Sequence, residues 1–180
     1  MNKRLSPMPR QAVPDLEIPL LTGGTWNIKT ASCERFFLVV FYRGYHCPIC
    51  KPYLQELNAL SKDLEAHGVV SIAVSTDVKE RAERSYSEWN LAPLKLGYGL
   101  SVDTGRNWGL FVSSSRGKTS TGVLEPDFFT EPGLFLVRAD RTLYSSAIQT
   151  MPFMRPSFSD LVKALDFIIK KDYPARGEVQ

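Results

Sequence analysis

The sequence predicts an α/β domain built on a central sheet with helices packed against it, and three observations carry that prediction. Phe36 to Tyr42 is apolar at all seven positions, as expected of a strand covered on both faces. Leu54, Leu57, Leu60 and Leu64 then recur at spacings of three and four, the signature of an amphipathic helix. Val69 to Ser75, VVSIAVS, supplies a second buried strand. Alternation of strands and helices implies right-handed crossovers and parallel central strands.

The other elements follow from local pattern. Residues 1–15 carry Pro7, Pro9 and Pro14 and few apolar groups, which predicts an extended arm. Leu16, Ile18 and Leu20 alternate, Gly23-Gly24 follows, and Trp26 and Ile28 alternate again, as in a small β-hairpin. The leucine-rich helix is expected to begin near Cys47, with Pro48 in its first turn, and to end at Gly68. Asp77 and Glu80 have capping-box spacing for a helix reaching about Trp89. A short strand is expected within 94–100, a short helix within 102–111 and a loop over 112–127. Leu134 to Val137 and Thr142 to Ile148 bracket Ala139-Asp140-Arg141 as a hairpin. Ser157 and Asp160 cap a closing helix on which Phe158, Leu161, Leu165 and Ile168 share a face. The expected organisation is an arm over 1–15, one domain over 16–172 and a tail over 173–180.

Composition narrows the function classes. The 180 residues are 43% hydrophobic and carry 22 Lys and Arg against 19 Asp and Glu, with 12 Gly and 12 Pro. A single soluble domain with a full core fits those figures. The seven-residue apolar run is far below the ~20 residues of a membrane span. The N-terminus is basic but has no apolar core segment, which predicts no secretory signal and a cytoplasmic location. The net charge of +3 is dispersed, so neither nucleic acid nor membrane is expected as a partner.

Three cysteines, Cys33, Cys47 and Cys50, are too few for a disulfide scaffold. Cys47-Pro48-Ile49-Cys50 is a C-x-x-C at a strand-to-helix junction. Near a helix start, unpaired backbone N–H groups and the dipole favour thiolate, and thiol pKa values fall from about 8.5 to roughly 3.5–7.5. A second thiol one turn along can attack an oxidised or mixed-disulfide Cys47. Zinc would need four ligands, and beyond this pair only Cys33, His46 and His67 offer thiolate or imidazole donors. Haem attachment fails because Lys51 stands where histidine is required. Arg116-Gly117-Lys118-Thr119 ends like a phosphate-binding loop, but Val112 occupies the position of its first glycine. No metal and no cofactor are expected. His46 is a candidate cation or acid beside Cys47, against the plainer reading of a half-exposed polar residue, and Cys33 reads as an idle thiol.

The strand FLVVFY, the run RGYHCPIC and the leucine-rich helix resemble the thioredoxin fold and, within it, the alkyl hydroperoxide reductase/thiol-specific antioxidant (AhpC/TSA) group of peroxiredoxin-like proteins. VPDLEIPLLTGGTWNI, VVSIAVSTD, WGLFVSSSRGKTSTG, EPGLFLVRADRTLY and QTMPFMRPSF extend the similarity over most of the chain, toward a branch that carries C-x-x-C. The resemblance implies a thioredoxin-like fold with a central mixed sheet flanked by helices and an N-terminal β-hairpin. It implies Cys47 as the peroxidatic cysteine, Cys50 as the resolving one, a hydroperoxide substrate, a thioredoxin- or glutaredoxin-type reductant and a monomer or homodimer. The family's proline and threonine, seven and three residues before the reactive cysteine, are here Val40 and Gly44. Its arginine before the later core strand is also missing, and Glu131-Pro132-Gly133 occupies that approach. Arg43 or Arg155 is left to supply positive charge, and Pro132 resembles the cis-proline that faces C-x-x-C in thioredoxins. Three readings stay open: a thiol peroxidase, a disulfide oxidoreductase and a non-enzymatic redox sensor.

Overall fold

In the computed structural model, which describes residues 6–179, the chain starts with an antiparallel hairpin of β1 (Glu17–Pro19) and β2 (Thr25–Asn27). A first crossover runs from β3 (Phe36–Phe41) through α1 (Cys50–Ala59) and α2 (Ser61–Ala66) to β4 (Val69–Val74). A second adds α3 (Lys79–Glu88) and β5 (Lys95–Gly97), and β3, β4 and β5 are parallel. After α4 (Val102–Asn107) come the antiparallel pair β6 (Val112–Ser114) and β7 (Phe128–Thr130). The hairpin of β8 (Gly133–Arg138) and β9 (Leu143–Ile148) and the closing helix α5 (Phe158–Lys171) complete the chain. The main sheet has the order β5-β4-β3-β8-β9, with β8 antiparallel to β3. It is the expected mixed α/β sheet with its N-terminal hairpin.

Burial explains why β3 is apolar throughout. Phe36, Leu38, Val40 and Tyr42 enter a core with Leu54, Leu57, Leu64, Ala82, Phe158 and Leu165 from the helices. Phe37, Val39 and Phe41 enter a second core on the opposite face with Trp26, Trp108 and Phe135. Each fully buried Leu, Val or Phe contributes about 1.5–3 kcal/mol, so a polar residue anywhere in this strand would be costly. The register Phe36↔Val69 to Phe41↔Val74 makes β3 and β4 end together, and the cysteine turn leaves from that end.

Other segments of the chain line part of each sheet edge. Leu21 N–H donates to Leu96 O and Tyr98 N–H to Pro19 O, seating the hairpin beside β5. Residues 9–13 lie along β9, with Arg10 N–H donating to Leu143 O and Val13 N–H to Arg141 O. The arm is therefore part of the sheet's edge from Pro9 onward, and its first five residues, like the last of the tail, lie outside the described residues. Arg10 also donates to Ala175 O and pairs with Glu178, tying the arm to the tail.

Four local expectations are corrected. The leucine-rich helix breaks at Leu60, where Ser61 Oγ–H donates back to Leu57 O at 3.4 Å, a bond that bends helices. It begins at Cys50, leaving Cys47 and Pro48 in the turn before it. Asp77 does not cap α3: its side chain is drawn to the cysteine turn and Val78 takes the cap position without a side-chain bond. The expected loop over 112–127 is bracketed by the pair β6–β7 and crossed by a bridge between Lys118 and Leu124. Ser157 does cap α5, accepting from Asp160 N–H at 3.2 Å. No helix among the described residues is long and apolar enough to cross a membrane.

Candidate active site

The site is a turn gripped by a buried carboxylate. Tyr42 N–H donates to Val74 O, carrying the chain past the end of β3, and Gly44 then adopts φ +132°. A Cβ on Gly44 would lie 2.7 Å from both Asp77 carboxylate oxygens. Asp77 accepts from Tyr45 N–H at 2.6 Å and from Arg81 at 3.1 Å. Burial pushes its carboxyl up, while the Tyr45 amide and Arg81 favour the ionised form. Threonine at position 44 would be strained, because side-chain-bearing residues rarely adopt this backbone angle and the Asp77 carboxylate fills the space of its Cβ. Cys47 N–H donates to Gly44 O at 3.1 Å and Cys50 N–H to Cys47 O at 3.0 Å, which turns the chain into α1.

Cys47 and Cys50 are free thiols, 1% and 0% exposed, in the helix-side core. The Cys50 thiol hydrogen-bonds Cys47 and is the main cause of its lowered pKa, burial opposes it, and Arg155, Arg43 and the Cys50 amide add to the lowering. The result is a Cys47 pKa of about 6. Cys50 is displaced the other way, by burial first and by its neighbour next. One sulfur thus carries the charge and the other keeps the proton.

Arg155 comes from the connection between β9 and α5. Its Nη2 donates to Cys50 Sγ at 3.2 Å and Cys47 Sγ at 3.7 Å, and its guanidinium lies 4.8 Å over the Tyr53 ring. Burial disfavours the charge on Arg155, but the two sulfurs outweigh that and raise its pKa. Its Nε and Nη1 are buried without hydrogen-bond partners among the described residues.

Arg43 is committed elsewhere. It pairs with Glu125 and Glu131, each at 3.4 Å, and lies 4.7 Å over the Phe129 ring. Ser113 Oγ–H donates to Glu131 at 2.6 Å and Arg116 N–H to Glu125 at 2.7 Å, so the cluster locks the β6–β7 segment to the turn. His46 is not half-exposed: it is 0% exposed, packs 4.6 Å from Phe129, and neither ring nitrogen has a partner among the described residues. Burial, then Arg43 and Arg81, lower its pKa to about 3, so it is neutral and supplies no cation. The one cis peptide among the described residues is Ala92–Pro93, so Pro132 presents no cis-proline to the cysteines. Cys33 packs on the opposite face of the sheet, and burial raises its pKa to about 11. His67 is engaged with Asp63 O and Asp166.

Sequence reasoning missed Asp77, Tyr53, Glu125 and Glu131. Tyr53 stands six residues after Cys47, but nothing in a periodic pattern distinguishes an aromatic that receives a cation from one that fills a core. The carboxylates come from distant segments and carry no local motif.

A model of the AhpC/TSA family matches residues 9–146. Among solved structures, the chain is similar to the peroxidoxin BcpB of Mycobacterium tuberculosis, with 18% identity, TM-score 0.69, and 91% of this chain and 98% of that one covered. It is similar to AhpC of Enterococcus faecalis, with 13% identity, TM-score 0.71, and 94% and 99% covered. A putative thiol:disulfide interchange protein DsbE of Chlorobium tepidum also matches, with 18% identity, TM-score 0.64, and 90% and 97% covered. These likenesses show the thioredoxin-like fold. A search of curated proteins returned no match.

Proposed function

The chain belongs to the AhpC/TSA family, and from that premise we propose that it is a thiol-dependent peroxidase with Cys47 as peroxidatic and Cys50 as resolving cysteine. The carrying observation is the division of charge between two adjacent buried thiols, with Arg155 across both. The Cys47 thiolate attacks the outer oxygen of a hydroperoxide. The O–O bond breaks, Cys47 becomes sulfenic acid, and the leaving alkoxide or hydroxide takes a proton from water. Cys50 then attacks the Cys47 sulfur, its proton leaves with the hydroxyl as water, and a disulfide forms. A thioredoxin- or glutaredoxin-type dithiol restores both thiols by exchange. The unpartnered Nε and Nη1 of Arg155 are donors available to the peroxide oxygens, where the family uses a threonine hydroxyl.

Burial favours this reading over attack on protein disulfides. A hydroperoxide is a small reactant, whereas a protein disulfide must bring its own sulfur in line with Cys47, which is 1% exposed. The test supplies purified protein with hydrogen peroxide or cumene hydroperoxide and a thioredoxin or glutaredoxin recycling system. Peroxide-dependent consumption of reductant by the wild type, abolished in Cys47→Ser, is expected. Rapid insulin reduction without peroxide turnover would assign it as a disulfide oxidoreductase instead. Absence of both activities, with a partner that binds one redox state, would leave the sensor.

A further inference from the structure

Arg155 holds down the segment it belongs to, and what holds Arg155 is charge on sulfur. The guanidinium is buried with two donors unsatisfied, an arrangement that is costly unless a negative group faces it. Among the described residues no carboxylate pairs with it; its polar partners are the sulfurs of Cys50 and Cys47. The segment is fixed at either end. Gln149 N–H donates to Pro132 O at 2.9 Å and Pro152 is buried on one side, and Ser157 caps α5 on the other. Between them Phe153 and Met154 are 67% and 80% exposed, so they anchor nothing. The inner attachments of this stretch are Arg155 on the sulfurs and on the Tyr53 ring, and Pro156 O, which accepts from the Tyr53 hydroxyl at 3.0 Å.

We propose that residues 153–156 form a redox-dependent strap, held over the cysteines by Arg155 in the dithiol state and released when Cys47 and Cys50 join as a disulfide. The inference rests on the redox cycle proposed above. Disulfide formation removes the thiolate and the thiol proton together: two electrons pass from the two sulfurs to the hydroperoxide, which takes up one further proton from solvent and leaves as alcohol and water. A neutral disulfide faces the guanidinium afterwards, and the burial of Nε and Nη1 is no longer offset. The strap resolves a steric problem of the cycle. Both sulfurs are buried, yet a protein dithiol must approach one of them in line to reduce the bond. Release in the oxidised state admits the reductant.

The measurement is the rate at which phenylglyoxal modifies Arg155, followed by peptide mass spectrometry, with Arg43 as an internal reference. One sample is reduced with dithiothreitol and desalted, and the other is oxidised with diamide, which takes up two electrons and two protons as the disulfide forms. Arg155 is expected to react at least about tenfold faster in the oxidised protein, the factor carried by a hydrogen bond to a charged group, with Arg43 unchanged. The double variant Cys47→Ser/Cys50→Ser, which has no thiolate, is expected to react at the fast rate without oxidant. Equal rates in the two wild-type states, a slow double variant, or a pair that diamide leaves unjoined would each overturn the strap. Diamide needs no peroxidase activity. A protein that shows the rate difference but turns over no hydroperoxide keeps the strap and loses the peroxidase, and equal rates in an active peroxidase do the reverse.

Discussion

Two arginines flank the cysteine turn, and they serve it differently. On the β6–β7 side, Arg43 is four residues from Cys47 in sequence, but it pairs with Glu125 and Glu131, lies over Phe129, and lowers the Cys47 pKa less than Arg155 does. On the α5 side, Arg155 is over a hundred residues away, has no carboxylate partner among the described residues, and places Nη2 on both sulfurs. The first region is a neutralising cluster that holds the turn's shape, with His46 packed into it uncharged. The second is an unneutralised cation that acts on the thiols. A positive charge lowers a thiol pKa only to the extent that closer carboxylates leave it uncompensated, so proximity in sequence is a poor guide to which arginine matters.

Substitutions separate the two regions. Arg43→Met should have the largest effect, lowering stability by about 3 kcal/mol, because it leaves two buried carboxylates unpaired. Urea denaturation would measure it, and the Cys47 pKa should move less than in the corresponding Arg155 variant. If the thiol shift is the larger one, the division of labour is wrong. Arg155→Met should slow sulfenic acid formation about 10–100-fold at neutral pH, the range of a lost hydrogen bond to a charged group. Absorbance titration of the thiolate should show the Cys47 pKa rising from about 6. The same titration fixes the sign of the pH dependence. In the wild type, activity should rise through about pH 6 as the thiolate forms, and the reduced protein should gain stability from pH 6 toward 9, where only the unfolded thiol still holds its proton.

His46→Leu is a smaller change on the Arg43 side. The folded pKa of about 3 lies below the unfolded 6.5, so this histidine's contribution is complete above pH 6.5 and is lost as pH falls toward 3. The leucine variant should therefore keep or gain up to about 1 kcal/mol at pH 7, since it removes two unpartnered nitrogens. It should also show a flatter decline in acid, measured by thermal unfolding at several pH values. Cys33→Ser should be the smallest, within about 0.5–1 kcal/mol and without effect on turnover, because Cys33 packs on the far face of the sheet. A loss of turnover in that variant would bring the third thiol into the cycle.

Much of the architecture was legible because it depends on near neighbours in sequence. The apolar run of β3, the leucines of α1 and the Ser157 cap of α5 each carry their signal within one turn or one strand, and the structure repeats them. Legibility failed where a side chain had a choice of partner. Asp77 has the spacing of a cap, yet its carboxylate turns to the Tyr45 amide and Arg81, because a buried turn with a left-handed glycine offers a stronger site. His46 reads as polar and exposed, and is neither, because Phe129 from a strand eighty residues on closes over it. Pro132 resembles a cis-proline by position, but its isomer is set by surrounding packing and is trans.

By itself, the sequence determined the fold class, the order of the main-sheet strands and the helices between them, save the break between α1 and α2, and the placement of Cys47 and Cys50 at the end of the most buried strand. Those are consequences of period, propensity and spacing, which act over a few residues. Only the tertiary structure decided which sulfur carries the charge, why residue 44 is glycine, and which of two arginines reaches the thiols. Those outcomes turn on distances of 3–4 Å between segments as far apart as Cys47 and Arg155, and such distances are set by packing rather than by any local pattern.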